Sequence, residues 1–135
     1  MNSAQQSSNR LIVGISGASG IIFGIEVLKA LQNEAIETHL VVSKSAILTL
    51  SHETDLSYAD LTSMADFHYP NGDIGAAIAS GSFKSMGMIV APCSIRSLSE
   101  ISSGVTSSLL SRAADVVLKE RRRLVLMVRE TPLHA

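Results

Sequence analysis

Apolar runs alternate with stretches in helical spacing along the chain. Residues 10–16 (RLIVGIS) are mostly apolar, as in a strand covered on both faces. Gly17-Ala18-Ser19-Gly20 follows as a tight turn. The period then changes over 21–33: Ile21, Ile25, Leu28 and Leu31 share one side, and Glu26, Lys29 and Asn33 lie off it, which predicts an amphipathic helix. The same reading gives a strand at 37–43, a short helix at 44–51 and a helix at 58–65 within a polar excursion spanning 55–73. It gives a strand at 86–91 that stops at Pro92, a helix at 94–102 ended by Gly104, a longer helix at 105–121 and a last strand at 123–128. Strands alternating with helices predict an α/β domain with a parallel sheet covered on both faces. Residues 1–9 read as a disordered polar lead-in and 10–135 as one domain.

Composition narrows the function classes. Of 135 residues, 46% are hydrophobic and 17% charged, enough apolar material for a real core and unlike a disordered tail. The net charge of −1 gives no electrostatic reason to expect nucleic acid or an anionic membrane. Trp is absent and aromatics make up 4%, against a base-stacking platform. The single cysteine, Cys93, excludes an internal disulfide and a multi-cysteine zinc site, and His52 has no partner at metal spacing, so no metal is expected. No apolar run approaches the ~18–20 residues of a membrane span, and the start, MNSAQQSSNR, lacks the apolar stretch of a signal peptide. A cytoplasmic location is the expectation.

The turn after the first strand is the first candidate for chemistry. A strand, a glycine turn and a helix N-terminus offer amides and a positive dipole end to a phosphate. Gly14, Gly17 and Gly20 are spaced three apart, which is neither G-x-G-x-x-G nor a Walker loop. Ser43 and Lys44 end the second strand where a dinucleotide site wants an acid, and they suit a phosphate or a flavin edge better than a ribose diol. NAD is therefore the runner-up. The turn alone fits a connection that binds nothing equally well. The loop Pro92-Cys93-Ser94-Ile95-Arg96-Ser97 follows the third clear strand and would lie beside the first turn at the switch point of a doubly wound sheet. Cys93 reads better as a small buried apolar residue than as a nucleophile. Glu53 could trade protons or be a solvated helix-end carboxylate. Arg121 to Arg123 read as a cationic helix end. Arg129 and Glu130 close the last strand, where an arginine can clamp a phosphate and a glutamate can act as acid or base.

Five blocks then resemble one family in order: GISGASG at 14–20, ETHLVVSK at 37–44, PCS at 92–94, RAADVVLKERR at 112–122 and RETPLH at 129–134. The last two are highly specific. The sequence is similar to the UbiX-like flavin prenyltransferases, whose older names are phenylacrylic acid or 3-octaprenyl-4-hydroxybenzoate decarboxylases, within the flavin-containing homo-oligomeric cysteine decarboxylase superfamily. The resemblance implies a Rossmann-like doubly wound sheet in three layers and a homo-oligomer, a dodecamer with FMN between subunits. It implies transfer of a dimethylallyl group from dimethylallyl phosphate to N5 and then C6 of reduced FMN, with no metal. The prenylated flavin would serve a UbiD-type decarboxylase in ubiquinone synthesis or aromatic acid decarboxylation. By matching position, Gly17, Ala18, Ser19, Ser43, Ser94, Ile95, Arg96 and Ser97 would hold FMN, with Ser19 near N5. Arg112 and Arg129 would reach the flavin phosphate or the prenyl phosphate. Glu53, Lys119 and Glu130 would surround the prenyl phosphate, with Glu130 its proton donor.

Two departures accompany the resemblance. The family continues past RETPLH with residues that hold the prenyl phosphate, so a shortened C-terminus is expected here. The P-x-M-N-x-x-M-W motif of the peptidyl-cysteine decarboxylases is absent. A non-catalytic FMN-binding or assembly module is the alternative from another class, and an aromatic acid decarboxylase subunit is the older one.

Overall fold

The computed structural model describes residues 9–129. Five parallel strands form one sheet in the order β3-β2-β1-β4-β5. They are β1 Arg10–Ile15, β2 Glu37–Val42, β3 Phe67–Pro70, β4 Gly87–Ser94 and β5 Arg123–Arg129. The helices are α1 Ile21–Gln32, α2 Lys44–Glu53, α3 Tyr58–Thr62, α4 Ile95–Ser102 and α5 Leu109–Lys119, with a 3₁₀ turn at Ala77–Ala79. This is the Rossmann-like α/β fold expected from the sequence.

Period-two alternation divides the core between the two faces. Val13, Ile15, Leu40 and Val42 pack with Ile21, Ile25 and Leu28 of α1 and Ala46 and Leu50 of α2. Ile12, Val41, Met88 and Val90 pack with Leu109, Leu110, Ala113 and Val117 of α5. Each of these large side chains withdrawn from water contributes about 1.5–3 kcal/mol. The sheet is therefore a rigid platform, buried on both sides at β1 and β4. Gly24 lets α1 lie close on this platform. A Cβ there would collide with the Ala91 carbonyl oxygen and would lie 2.8 Å from Ile15 Cδ1.

The helix expected at 58–65 ends at Thr62, and three further boundaries move. The excursion at 55–73 contains the edge strand β3, a short FHYP segment whose side chains are mostly exposed, so it carries no apolar run to read. Strand β4 does not stop at Pro92 but runs to Ser94. A register irregularity between Val90 and Cys93 takes up the proline where no ladder hydrogen bond is demanded of it. Helix α5 starts at Leu109 rather than 105, because Ser108 takes the N-cap and forms a capping box with Ser111.

Order reverses at β1, which pairs with β2 on one side and β4 on the other. The crevice beyond the C-terminal ends of β1 and β4 is where an open α/β sheet binds ligands.

Candidate functional site

The C-terminal ends of β1 and β4 are tied together at the base of that crevice. The Ser16 hydroxyl donates to the Pro92 carbonyl at 2.9 Å and accepts from the Ser94 amide at 2.7 Å. The Ser16 amide also donates to Pro92 O at 3.1 Å. The ends of β1 and β4 thus hold a fixed spacing.

A cavity of about 470 Å³ opens beside this tie. Its walls come from the ends of β2, β3 and β4 and the start of α5, and they include Ser43, Ser94, Ser97, Ser107, Ser108 and Ser111. The volume lies in the range of small-molecule sites. Several of these serines are helix caps: Ser43 accepts from Ala46 N, Ser94 from Ser97 N and Ser108 from Ser111 N. Asn71, after β3, completes the start of α5. Its backbone oxygen accepts from Leu109 N and its Oδ1 from Leu110 N, both at 2.9 Å. Lys44 and Arg96 bring positive charge to the walls, and Glu100 pairs with Arg96 at 3.6 Å. Next to Ser111, half-buried Arg112 keeps a buried Nε with no hydrogen-bond partner among the described residues. Such a donor is costly unless an acceptor arrives.

A second cluster surrounds the N-terminus of α1. Gly20 adopts φ +92°, a left-handed conformation that glycine reaches without a Cβ penalty. The amides at this helix end meet a side chain of the same chain. Glu53, from the end of α2, already accepts from Gly20 N at 3.2 Å and Ile21 N at 3.1 Å. The chain's own carboxylate takes the anion position that the helix dipole favours. Glu53 is therefore an exposed helix-end acid that also caps another helix. Arg129, at the end of β5, stands against the same turn, with its guanidinium 5.0 Å from the centre of the Phe23 ring.

The structure gathers most of the sequence-derived candidates around these two clusters. Gly17 packs on α2, where a Cβ would lie 2.5 Å from Ser45 Cβ. Ala18 is buried and Ser19 half-buried in the same turn. Ser43, Ser94, Arg96 and Ser97 line the cavity, and Ile95 is exposed beside them. Lys119 is not brought there. It ends α5, eight residues and about 12 Å along the axis from Ser111, and pairs with Asp115 at 2.9 Å. Glu130 lies outside the described residues. Sequence reasoning missed Ser16, Asn71, Ser107, Ser108 and Ser111 as site-forming residues. The abundance of serine between 94 and 111 was the visible signal for the last three. It also missed Phe23, which reads as one more apolar helix residue.

Cys93 is fully buried, and burial pushes its thiol up to about 11, so the buried reading stands. His39 lies near the start of β2, on the half of the sheet away from the cavity. In its Nε2–H tautomer it donates to Glu37 Oε1 at 2.7 Å and accepts from the Tyr69 hydroxyl at 2.8 Å. Burial lowers its pKa, and the hydrogen bond to Glu37 opposes that only in part. Among the described residues no group of three or more His, Cys, Asp or Glu could hold a metal, and no helix is long and apolar enough to cross a membrane.

A doubly wound sheet with a serine-lined cavity, and an arginine standing against the glycine turn at its switch point, defines an α/β ligand-binding domain. Residues 1–134 match the Flavoprotein family model. The flavin prenyltransferases UbiX of Neisseria meningitidis serogroup B and Escherichia coli (strain K12) are each 58% identical over 93% of this chain. The chain spans 66% and 67% of their lengths, and 64% of the UbiX of Thauera aromatica, about two thirds of the curated relatives. The structure of AnUbiX with FMN and dimethylallyl pyrophosphate superposes with a TM-score of 0.90 at 49% identity, covering 94% of this chain and 68% of that one. A dodecameric FMN-dependent UbiX-like decarboxylase from Escherichia coli O157:H7 gives a TM-score of 0.88 at 49% identity, covering 93% and 69%. The chain belongs to the Flavoprotein family, among the UbiX flavin prenyltransferases.

Proposed function

We propose that this chain is the flavin-binding part of a flavin prenyltransferase that moves a dimethylallyl group from dimethylallyl phosphate to reduced FMN. The observation that carries the reading is the 58% identity to the Escherichia coli UbiX over 126 residues, which include the site loops. The residues present fit FMN. The cavity offers neutral hydroxyls for a polar ring and a ribityl chain, and the partnerless Arg112 Nε offers a cation for a phosphate. Gly17, Ala18, Ser19, Ser43, Ser94, Ile95, Arg96, Ser97 and Arg112 would hold it. Reduced FMN supplies the nucleophile.

The protein's task is then to hold the ester in line and to ease the departure of phosphate. Cations aimed at the leaving oxygens neutralise charge as it develops, and a carboxylic acid can donate a proton there. Arg129 would meet the ester phosphate beside Ser19 and Glu53, with Glu130 as the acid. Lys119, at the far end of α5, would join from another copy of the chain in a homo-oligomer, a dodecamer. The product would pass to a UbiD-type decarboxylase in the cytoplasm.

The test is anaerobic incubation with reduced FMN and dimethylallyl phosphate, followed by the mass of the released flavin. A gain of one isoprene unit is expected. Bound but unaltered FMN would leave a flavin-binding module instead.

A further inference from the structure

Phe23 belongs to none of the family blocks and lies outside the serine-lined cavity, yet it sits in the first turn of α1, against Arg129 at the end of β5. The guanidinium carbon of Arg129 stands 5.0 Å from the ring centroid, within the range of a cation–π contact. The ring also rests on Gly20. A Cβ at Gly20 would lie 2.9 Å from Phe23 Cδ2 and 3.5 Å from Arg129 Nε, so the absent side chain leaves room for both. The Phe23 amide donates to the Gly20 carbonyl at 3.0 Å, which fixes the ring relative to the left-handed turn. With 37% of its surface exposed, Phe23 is not there simply to fill the core.

Arg129 needs such a support. It ends an edge strand, it is exposed, and an unsupported arginine there samples many rotamers. An aromatic face selects those that lay the guanidinium across the start of α1. The five N–H donors lie in the guanidinium plane, so stacking on a ring leaves them available at its edges. Glu53 already accepts from the Gly20 and Ile21 amides, so Arg129 supplies the cation that an incoming anion would meet at this turn.

We propose that Phe23 is a positioning residue, whose ring holds Arg129 over the first turn of α1 so that the guanidinium meets the phosphate of the prenyl ester. This rests on the transferase reading above. It adds a determinant of phosphate affinity that acts through the arginine rather than through the flavin.

The experiment is calorimetric titration of the FMN-loaded protein with inorganic phosphate and with dimethylallyl phosphate. Phe23→Leu weakens both by roughly three- to tenfold, whereas Phe23→Tyr stays within about twofold of the parent. FMN affinity and melting temperature stay near the parent in both. In an Arg129→Gln background, Phe23→Leu has no further effect. Unchanged phosphate affinity in Phe23→Leu overturns the proposal, and so does an equal loss with and without Arg129. A parent that binds neither phosphate also overturns it. A parent that binds both, with the loss confined to the Arg129 background, but forms no prenylated flavin supports the role of Phe23 and contradicts the transferase reading alone.

Discussion

Replacing Ser16 by Ala tests the tie beneath the site. The change deletes one oxygen that makes two buried hydrogen bonds, to Pro92 O at 2.9 Å and from Ser94 N at 2.7 Å. The Pro92 carbonyl keeps a partner, because the Ser16 amide still donates to it at 3.1 Å. The Ser94 amide loses the serine oxygen in a residue that is only 8% exposed. The cost is therefore that of one stranded buried N–H, about 1–3 kcal/mol, rather than two lost bonds. With a urea slope of roughly 1–3 kcal/mol per molar, the midpoint falls by about 1 M. Ser94 also caps α4 and lines the cavity, so FMN affinity falls along with stability. Urea unfolding followed by circular dichroism, and FMN titration of the same samples, read both effects. An alanine variant within about 0.5 kcal/mol of the parent, with unchanged FMN affinity, would refute the claim that this hydroxyl sets the spacing of the two strand ends.

Other perturbations have equally definite outcomes. Gly24→Ala drives a methyl into the Ala91 carbonyl and Ile15, and urea unfolding should show a loss of about 1–3 kcal/mol as α1 lifts from β4. Asn71→Ala removes the acceptor for Leu110 N at 2.9 Å, which should cost about 1 kcal/mol in the same assay and weaken FMN binding by loosening the cavity wall. His39 has a folded pKa below its ordinary value of 6.5, so the unfolded chain takes up a proton first as pH falls. Its contribution to stability is complete above the ordinary pKa and is lost as pH falls towards the folded one. Urea midpoints measured across that window should decline in the parent and decline less in His39→Gln. The Cys93 thiol, pushed up to about 11 and fully buried, should resist a thiol reagent at pH ~8 until urea unfolds the chain; prompt reaction in the native state would contradict its burial.

Burial on both faces made three strands legible in the sequence, whereas β5 was legible as an apolar run although it is a mostly exposed edge strand. β1, β2 and the first part of β4 are apolar runs because helices cover both sides of them, and α1 shows its period because one side alone meets the sheet. β3 was hidden because an edge strand of four mostly exposed residues has no such demand on its side chains. The passage of β4 through Pro92 was hidden because the irregularity that tolerates it depends on β5, far along the chain. The glycine turn was visible as a turn, but its partner was not. Glu53 reaches Gly20 across 33 residues, and only the folded packing of α2 beside α1 brings them together. The same holds for Asn71 on α5 and Phe23 under Arg129. The family blocks mark residues on the two site loops, whereas the contacts between loops belong to the tertiary structure.

The proposed transferase reading puts FMN in the serine-lined cavity at the switch point. Fluorescence titration of FMN into the protein and into Ser107→Trp, a variant that fills the cavity from its exposed rim, tests it most directly. Saturable binding by the parent is expected, with loss of affinity in the tryptophan variant at unchanged circular dichroism. Equal FMN affinity in the two would place the flavin outside this cavity.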